Sequence, residues 1–276
     1  MSNLTERSLT AILFVIVLLG SIIQSELASS LLFFVIILLC QREFYDFFTP
    51  TSTKPQKLVG IIGGLLFFSS SVIATQADSG FSTLFLIIPL IFLIFIIELY
   101  RKKETPLNNI GSTILGIVYI AVPFTLLHEL SYYNNLEFTG TYSYEILVGY
   151  FFLLWANDTG AYFVGRSLGK HKLFERISPK KTWEGSIGGA LVGLLVGYIN
   201  SIIFPSLNLE IWLGVAIIVI VFGSLGDLVE SLFKRSLNIK DSGNLLPGHG
   251  GVLDRFDGIF ISAPIVYTFL RLLSEW

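Results

Sequence analysis

Residues 81–103 read FSTLFLIIPLIFLIFIIELYRKK: nineteen positions without Lys or Arg, then Tyr100, then three consecutive basic residues. A helix rises about 1.5 Å per residue, so a stretch of about 20 mostly apolar residues spans the hydrocarbon core of a bilayer. This segment therefore predicts a membrane-crossing helix stopped by a basic cluster. Working outward, eight further runs of the same kind are found, approximately at Ser8–Ile23, Leu27–Cys40, Leu58–Thr75, Ile110–Leu127, Tyr144–Val164, Gly185–Phe204, Ile211–Phe233 and Gly258–Leu273. The run at Leu27–Cys40 is short, and with the one before it fits either two crossings or a shallow hairpin. Arg7 ahead of an apolar run resembles a secretory signal, but no small-residue cleavage pattern follows, so an uncleaved first helix is expected.

Composition agrees with this reading. The 276 residues are 53% hydrophobic and 14% charged, with a mean hydropathy of +0.74, whereas soluble domains carry about 25% charged residues. Disordered, collagenous and disulfide-scaffold classes are excluded, and an ordinary water-soluble enzyme is not expected. The single cysteine, Cys40, can form no internal disulfide.

The basic residues then orient the chain. Of the 18 Lys and Arg, 17 fall at the N-terminus or in every second gap between runs, and only Arg271 falls on the other side. Cytoplasmic loops carry the excess of positive charge. The expected fold class is thus an all-α integral membrane protein, a polytopic bundle of nine transmembrane helices, with the N-terminus cytoplasmic and the C-terminus outside. Residues 1–140 read as an anchor and lipid-facing wall. Residues 141–276, where polar groups and the two richest basic gaps collect, read as a catalytic region with cytoplasmic basic loops.

Four features could carry chemistry. Asn157-Asp158-Thr159 lies inside the sixth run, and a carboxylate at membrane depth costs about 2.5 to 3.5 kcal/mol to insert, so Asp158 faces a cavity or bonds to a neighbouring helix. Ser178-Pro179-Lys180-Lys181-Thr182 reads as a basic turn leading into a helix, where backbone N–H groups and two ammonium groups suit phosphate. Positive-inside flanking would explain the charges alone. Gly185, Gly189, Gly193 and Gly197 in the helix that follows form a packing stripe. At the end of the eighth run, Ser224, Asp227, Ser231 and Lys234 are spaced to share one helix face, with Glu230 at its edge.

The fourth feature is the loop from Lys240 to Asp257, which contains Asp241, His249, Asp254, Arg255 and four glycines. Asp254 and Asp257 sit three apart as the last helix begins, a placement that the macrodipole alone would favour. Carboxylates with substrate phosphates are a Mg²⁺ environment, whereas His128, His171 and His249 lack zinc spacing. His249 is a candidate because imidazole is easily poised near neutral pH, although a lone loop histidine more often only donates a hydrogen bond. Walker A, dinucleotide-binding and nucleophile-elbow patterns are missing. Deep carboxylates beside basic loops point to metal-assisted phosphoryl or nucleotidyl transfer.

The run Ser231-x-Phe233-Lys234-Arg235, Lys240-Asp241, His249-Gly250-Gly251 and Asp254-Arg255-Phe256-Asp257 closely resembles the C-terminal signature of phosphatidate cytidylyltransferases, the CDP-diacylglycerol synthases. The Asn157-Asp158 and Ser178–Gly185 segments are similar to this family too. The first five runs resemble it only as a set of hydrophobic helices. The resemblance implies transfer of the cytidylyl group of CTP to phosphatidic acid, giving CDP-diacylglycerol and pyrophosphate with Mg²⁺. It assigns Asp227 and Asp254 as leading metal ligands, with Asp257, Asp241 and Asp158 behind them; His249 stays a further catalytic candidate on its own chemistry. Lys181, Lys234, Arg235 and Arg255, joined by Lys180, Lys240 and Ser231, would bind the phosphates of CTP or the lipid headgroup. It admits a second metal or a monovalent cation, and a homodimer. A bacterial inner membrane with the site at its cytoplasmic face is expected, with CTP, phosphatidic acid and the bilayer as partners and no nucleic acid. Two rival functions are a CTP-dependent lipid or polyprenol kinase and an anion or proton-coupled transporter.

Overall fold

The structure, a computed structural model, describes residues 3–76, 84–134, 137–138, 141–243 and 250–275. Among these residues it is a polytopic helical membrane protein. The helices are α1 (Asn3–Gln24), α2 (Glu26–Asp46), α3 (Lys57–Gln76), α4 (Leu84–Arg101), α5 (Pro106–Gly116), α6 (Val122–Glu129), α7 (Glu145–Leu168), α8 (Trp183–Ile203), α9 (Leu209–Ser236) and α10 (Ile259–Ser274). A π-helical turn at Ile117–Ala121 joins α5 to α6, so the pair follows one course and matches a single predicted run. Residues 26–46, 57–75, 106–132, 183–203 and 209–236 are long and apolar enough to cross a membrane, while Leu9–Gln24 and Ile259–Ser274 are shorter apolar helices.

The chain divides into two compact units: Met1–Glu129 with Ser236–Phe256, and Leu130–Arg235 with Asp257–Trp276.

In the first unit α2 is the organising element, and it is longer than its apolar run. The helix continues past Cys40 through Gln41, Glu43 and Tyr45 to Asp46, all but the last buried. At 21 residues it is about 32 Å long, enough for a full crossing. Its polar residues stay inside because they find partners. The Gln41 amide donates to the carbonyls of Gly60 and Gly116, each at 3.2 Å, and the Tyr45 hydroxyl donates to the Thr113 carbonyl at 2.7 Å. A Cβ on Gly116 would lie 2.5 Å from the Tyr45 ring, so glycine is what lets α5 approach. The buried Glu98 on α4 is likewise satisfied, accepting from Gln56 at 2.8 Å, Arg101 at 2.7 Å and Asn109 at 2.7 Å.

In the second unit α7, α8 and α9 pack through the predicted glycine stripe. A Cβ on Gly189 would sit 2.7 Å from the Asn157 carbonyl of α7, and one on Gly185 would sit 2.9 Å from the Ala161 carbonyl. Further along α8, Cβ atoms on Gly193 and Gly197 would each sit 2.9 Å from Ile220 and Ala216 of α9. One stripe therefore serves two neighbours in turn. α10 is held to α7 by a 2.5 Å bond between the Tyr150 and Ser262 hydroxyls.

Two small two-stranded sheets complete the described part of this unit. β1 (Tyr133–Asn134) pairs with β2 (Glu137–Phe138), and β3 (Lys172–Phe174) pairs antiparallel with β4 (Ser178–Thr182). The segment Ser178–Thr182, predicted as a turn, is thus a strand. Its pairing to Lys172–Phe174 overrides the local preference of Pro179, which a two-stranded ribbon tolerates because every strand in it is an edge. The predicted N-cap does form: Thr182 is extended (φ −130°, ψ 154°) and its hydroxyl accepts from the Gly185 N–H at 3.2 Å.

Candidate active site

Three elements of the second unit wall a cavity of about 470 Å³. α7 supplies Asn157 and Asp158, the junction of β4 with α8 supplies Lys180, Lys181 and Thr182, and α9 supplies Ser224 and Asp227. The extended backbone of β4 carries Lys181 into this group two residues before the helix starts. Its ammonium lies 2.6 Å from Asp227 Oδ2 and donates to the Ser224 carbonyl at 3.2 Å. Ser231 donates to Asp227 Oδ1 at 3.3 Å, and the Asn157 amide donates to Ser224 Oγ at 3.4 Å. The face predicted for α9 therefore exists for Ser224, Asp227 and Ser231. Lys234 is ion-paired with the fully buried Glu230 at 2.9 Å, and Arg235 is exposed.

Asp257 joins the same neighbourhood from the turn ahead of α10. A Cβ on Gly226 would lie 2.5 Å from the Asp257 carbonyl, so this turn can approach α9 only where Asp227 is preceded by glycine. The Asp257 carboxylate accepts the N–H of Gly258 at 2.7 Å. Burial, and then the charges of Asp227 and Asp158, push its carboxyl up to about 8.

One site residue carries no mark in its immediate sequence. Arg166 lines the cavity and donates to the Tyr162 hydroxyl at 2.9 Å. Asp158, Tyr162 and Arg166 are spaced by four, which places them on one face of α7. That spacing was the available signal; as a basic residue just beyond an apolar run, Arg166 registers only as a topology charge.

A wall with carboxylates on two helices and three cationic side chains around it suits a polyanion that arrives with a divalent cation. Among the described residues no group of three or more His, Cys, Asp or Glu could hold a metal ion by itself. Magnesium does not require one: it commonly takes one or two carboxylates and completes its shell with water and substrate phosphates. Asp158 and Asp227 beside an open cavity fit that mode and do not fit a closed protein cage.

The other predicted residues lie in the first unit. Asp254 sits in a short 3₁₀ turn, and its Oδ2 accepts the N–H groups of Ser242 and Gly251, each at 3.0 Å. Gly250 has φ +80°, a conformation natural to glycine, and a Cβ there would lie 2.9 Å from Asp254 Oδ2. Lys240, Asp241 and Arg255 are exposed. His249 lies outside the described residues. Glu43, at the end of α2, also reaches this loop: it accepts from the Ser242 hydroxyl at 3.0 Å and from the N–H groups of Val252 and Leu253 at 3.0 and 2.9 Å. Sequence reasoning missed it, because a glutamate just beyond an apolar run reads as a solvated helix end.

The profile of the cytidylyltransferase family matches residues 5–273. The chain belongs to the cytidylyltransferase family. It is similar to the phosphatidate cytidylyltransferase of Bacillus subtilis, with 34% identity over 282 residues, covering 99% of this chain and the whole of that protein. The phosphatidate cytidylyltransferases of Staphylococcus saprophyticus and Staphylococcus aureus are 34% and 32% identical over 270 and 269 residues, each match covering 96% of this chain and 98% of the relative. The family match includes α1 to α6 as well as the signature loop, so the N-terminal helices are part of the same inherited unit of sequence.

Proposed function

We propose that this chain is a membrane-embedded enzyme that transfers the cytidylyl group of CTP to phosphatidic acid, giving CDP-diacylglycerol and pyrophosphate. The observation that carries the reading is the family match over residues 5–273, with relatives of that name over nearly full length. The cavity supports it independently, because it gathers cationic side chains and carboxylates where two anionic substrates would have to meet.

A phosphate monoester has a second pKa of about 6, so the lipid phosphate is already a strong nucleophile at neutral pH and needs no activating base. One of its oxygens bonds to the α-phosphorus of CTP while the bond from that phosphorus to the α–β bridging oxygen breaks, and pyrophosphate leaves with that oxygen. The obstacle is bringing two anions together. Lys181, held by Asp227 and the Ser224 carbonyl, and Lys180 and Arg166 beside it, place positive charge where phosphates would sit. Positioning and fixed charge of this kind lower the barrier without a covalent intermediate. Mg²⁺, when bound, would neutralise phosphate charge. Asp227 and Asp254 are the proposed ligands on the motif, with Asp158, Asp241 and Asp257 as further carboxylates.

The distribution of Lys and Arg supports a cytoplasmic N-terminus and a site reached by CTP from the cytoplasm, and the bacterial relatives support the inner membrane of a bacterium. A homodimer and a further cation stay within the proposal on family resemblance alone.

The test uses purified protein in detergent with phosphatidic acid, Mg²⁺ and CTP labelled on the α-phosphorus. Label entering the lipid phase with release of pyrophosphate, both lost on chelation, is the expected result. Label left in the aqueous phase as CDP, with label entering the lipid in a parallel reaction with CTP labelled on the γ-phosphorus, would identify a kinase and overturn the reading.

A further inference from the structure

Glu43 is a carboxylate only 8% exposed, near the end of α2, where Cys40, Phe44 and Tyr45 are also buried. Burying such a charge is costly unless hydrogen bonds compensate it. All three donors described for it come from one loop: the Ser242 hydroxyl on Oε2 at 3.0 Å, the Leu253 N–H on Oε2 at 2.9 Å, and the Val252 N–H on Oε1 at 3.0 Å. The loop is shaped to receive it. A Cβ on Gly243 would lie 2.7 Å from Glu43 Oε1, and Gly251 is equally closed to a side chain by Ser242 and Glu43. Asp254, two residues beyond Val252, then closes the other side by accepting from the N–H groups of Ser242 and Gly251. Two carboxylates on either side of Ser242 thus fix the backbone on which Asp254 and Arg255 are carried.

We infer that Glu43 is a positioning residue for the transfer reaction: from α2 it clamps Ser242, Val252 and Leu253, and so fixes the carboxylate of Asp254 for a divalent cation and the triphosphate. The inference rests on the proposed function and on the proposed role of Asp254 in it. It gives the second helix, which reads as an anchor, a part in the chemistry. Glutamine at this position keeps the size but replaces one acceptor oxygen with an amide that donates, so one loop donor would face another donor.

The experiment compares full-length wild type, Glu43→Gln and Ser242→Ala in detergent. Ser242→Ala removes one hydroxyl donor and leaves the two backbone bonds, so it keeps the comparison interpretable where Glu43→Gln folds poorly. Two quantities are read: binding of Mn²⁺ alone, by electron paramagnetic resonance, and KM for CTP against KM for phosphatidic acid. Residues that orient a metal ligand commonly contribute about 10- to 100-fold in affinity or activity. Glu43→Gln should weaken Mn²⁺ binding by about that factor and raise KM for CTP, while KM for phosphatidic acid stays within about twofold; Ser242→Ala should move the same quantities less. Unchanged Mn²⁺ binding and unchanged KM for CTP in both variants, with kcat falling only in step with the folded fraction, would overturn the inference. Because Mn²⁺ binding is read without turnover, failure of the functional reading would show separately, as a wild type that forms no nucleotide-linked lipid.

Discussion

Lys181 and Asp227 form the contact on which the site's electrostatics turn. At 2.6 Å the pair neutralises a carboxylate lying within a membrane-spanning helix and also keeps an ammonium group beside the cavity. An incoming phosphate can take over the lysine, and a divalent cation can take over the aspartate, so the resting pair would be exchanged for ligands of the same sign. Asp257 differs from Asp227 in having no cation at hydrogen-bonding distance among its described partners. Burial and two neighbouring acids raise its carboxyl to about 8. A carboxyl raised in the fold above its ordinary value of about 3.9 favours the folded state while protonated, and that stability is lost as the group ionises. Metal-free protein should therefore melt at a higher temperature at pH 6 than at pH 8.5. Asp257→Asn should flatten that dependence and raise the melting temperature at pH 8.5. A thermal melt across this range checks it, and a wild type that gains stability on going to pH 8.5 would contradict it.

At the scale of elements, α8 does two jobs. Its capped N-terminus presents Lys181 and Thr182 to the cavity, and its glycine face fixes the distances to α7 and α9 that set the cavity's width. Gly189 is where α8 comes closest to the backbone of α7, since a Cβ there would meet both the carbonyl and the side-chain oxygen of Asn157 at 2.7 Å. Overpacking of this kind costs about 1 to 3 kcal/mol, and here it would also displace the helix turn that carries Asp158. Gly189→Leu should lower both thermal stability and transfer rate. Gly20→Leu, where nothing lies within 4 Å of a Cβ, should change neither. Melting curves and initial rates on the pair test this.

The same elements show what could be read in the sequence. The glycines of α8 spaced by four and the Ser224–Asp227–Ser231 face were legible because helical periodicity turns spacing directly into direction. The end of α2 was not: hydropathy stops at Cys40, whereas the helix continues to Asp46 because Gln41, Glu43 and Tyr45 find partners far away in sequence. The strand at Ser178–Thr182 escaped because its pairing is decided by partners four to ten positions away, outside the segment itself. Local rules describe a residue's preference, and these positions answer to distant donors and acceptors.

At the scale of the whole molecule, apolar run length and the alternation of basic residues were enough to give a polytopic helical fold, and the family match extends it over the chain. The chemistry is concentrated differently from the hydrophobicity. The second unit brings Asp158, Lys181 and Asp227 around one cavity, with Asp257 close by, while in the first unit Asp254 accepts from Ser242 and Gly251, next to the bonds that Glu43 accepts from Ser242, Val252 and Leu253. No periodicity rule could have linked Glu43 to Ser242, which lies 199 residues away.

The central claim is that the cavity between α7, β4 and α9 is where cytidylyl transfer occurs, and Asp227→Asn tests it most directly. The substitution keeps size and removes one charge. Measured at saturating CTP, phosphatidic acid and Mg²⁺, on protein shown by its melting curve to be folded, the variant should lose about 10²- to 10³-fold in transfer rate, the usual scale for a preorganised charged group. A folded Asp227→Asn protein that transfers the cytidylyl group within about twofold of the wild-type rate would contradict the account.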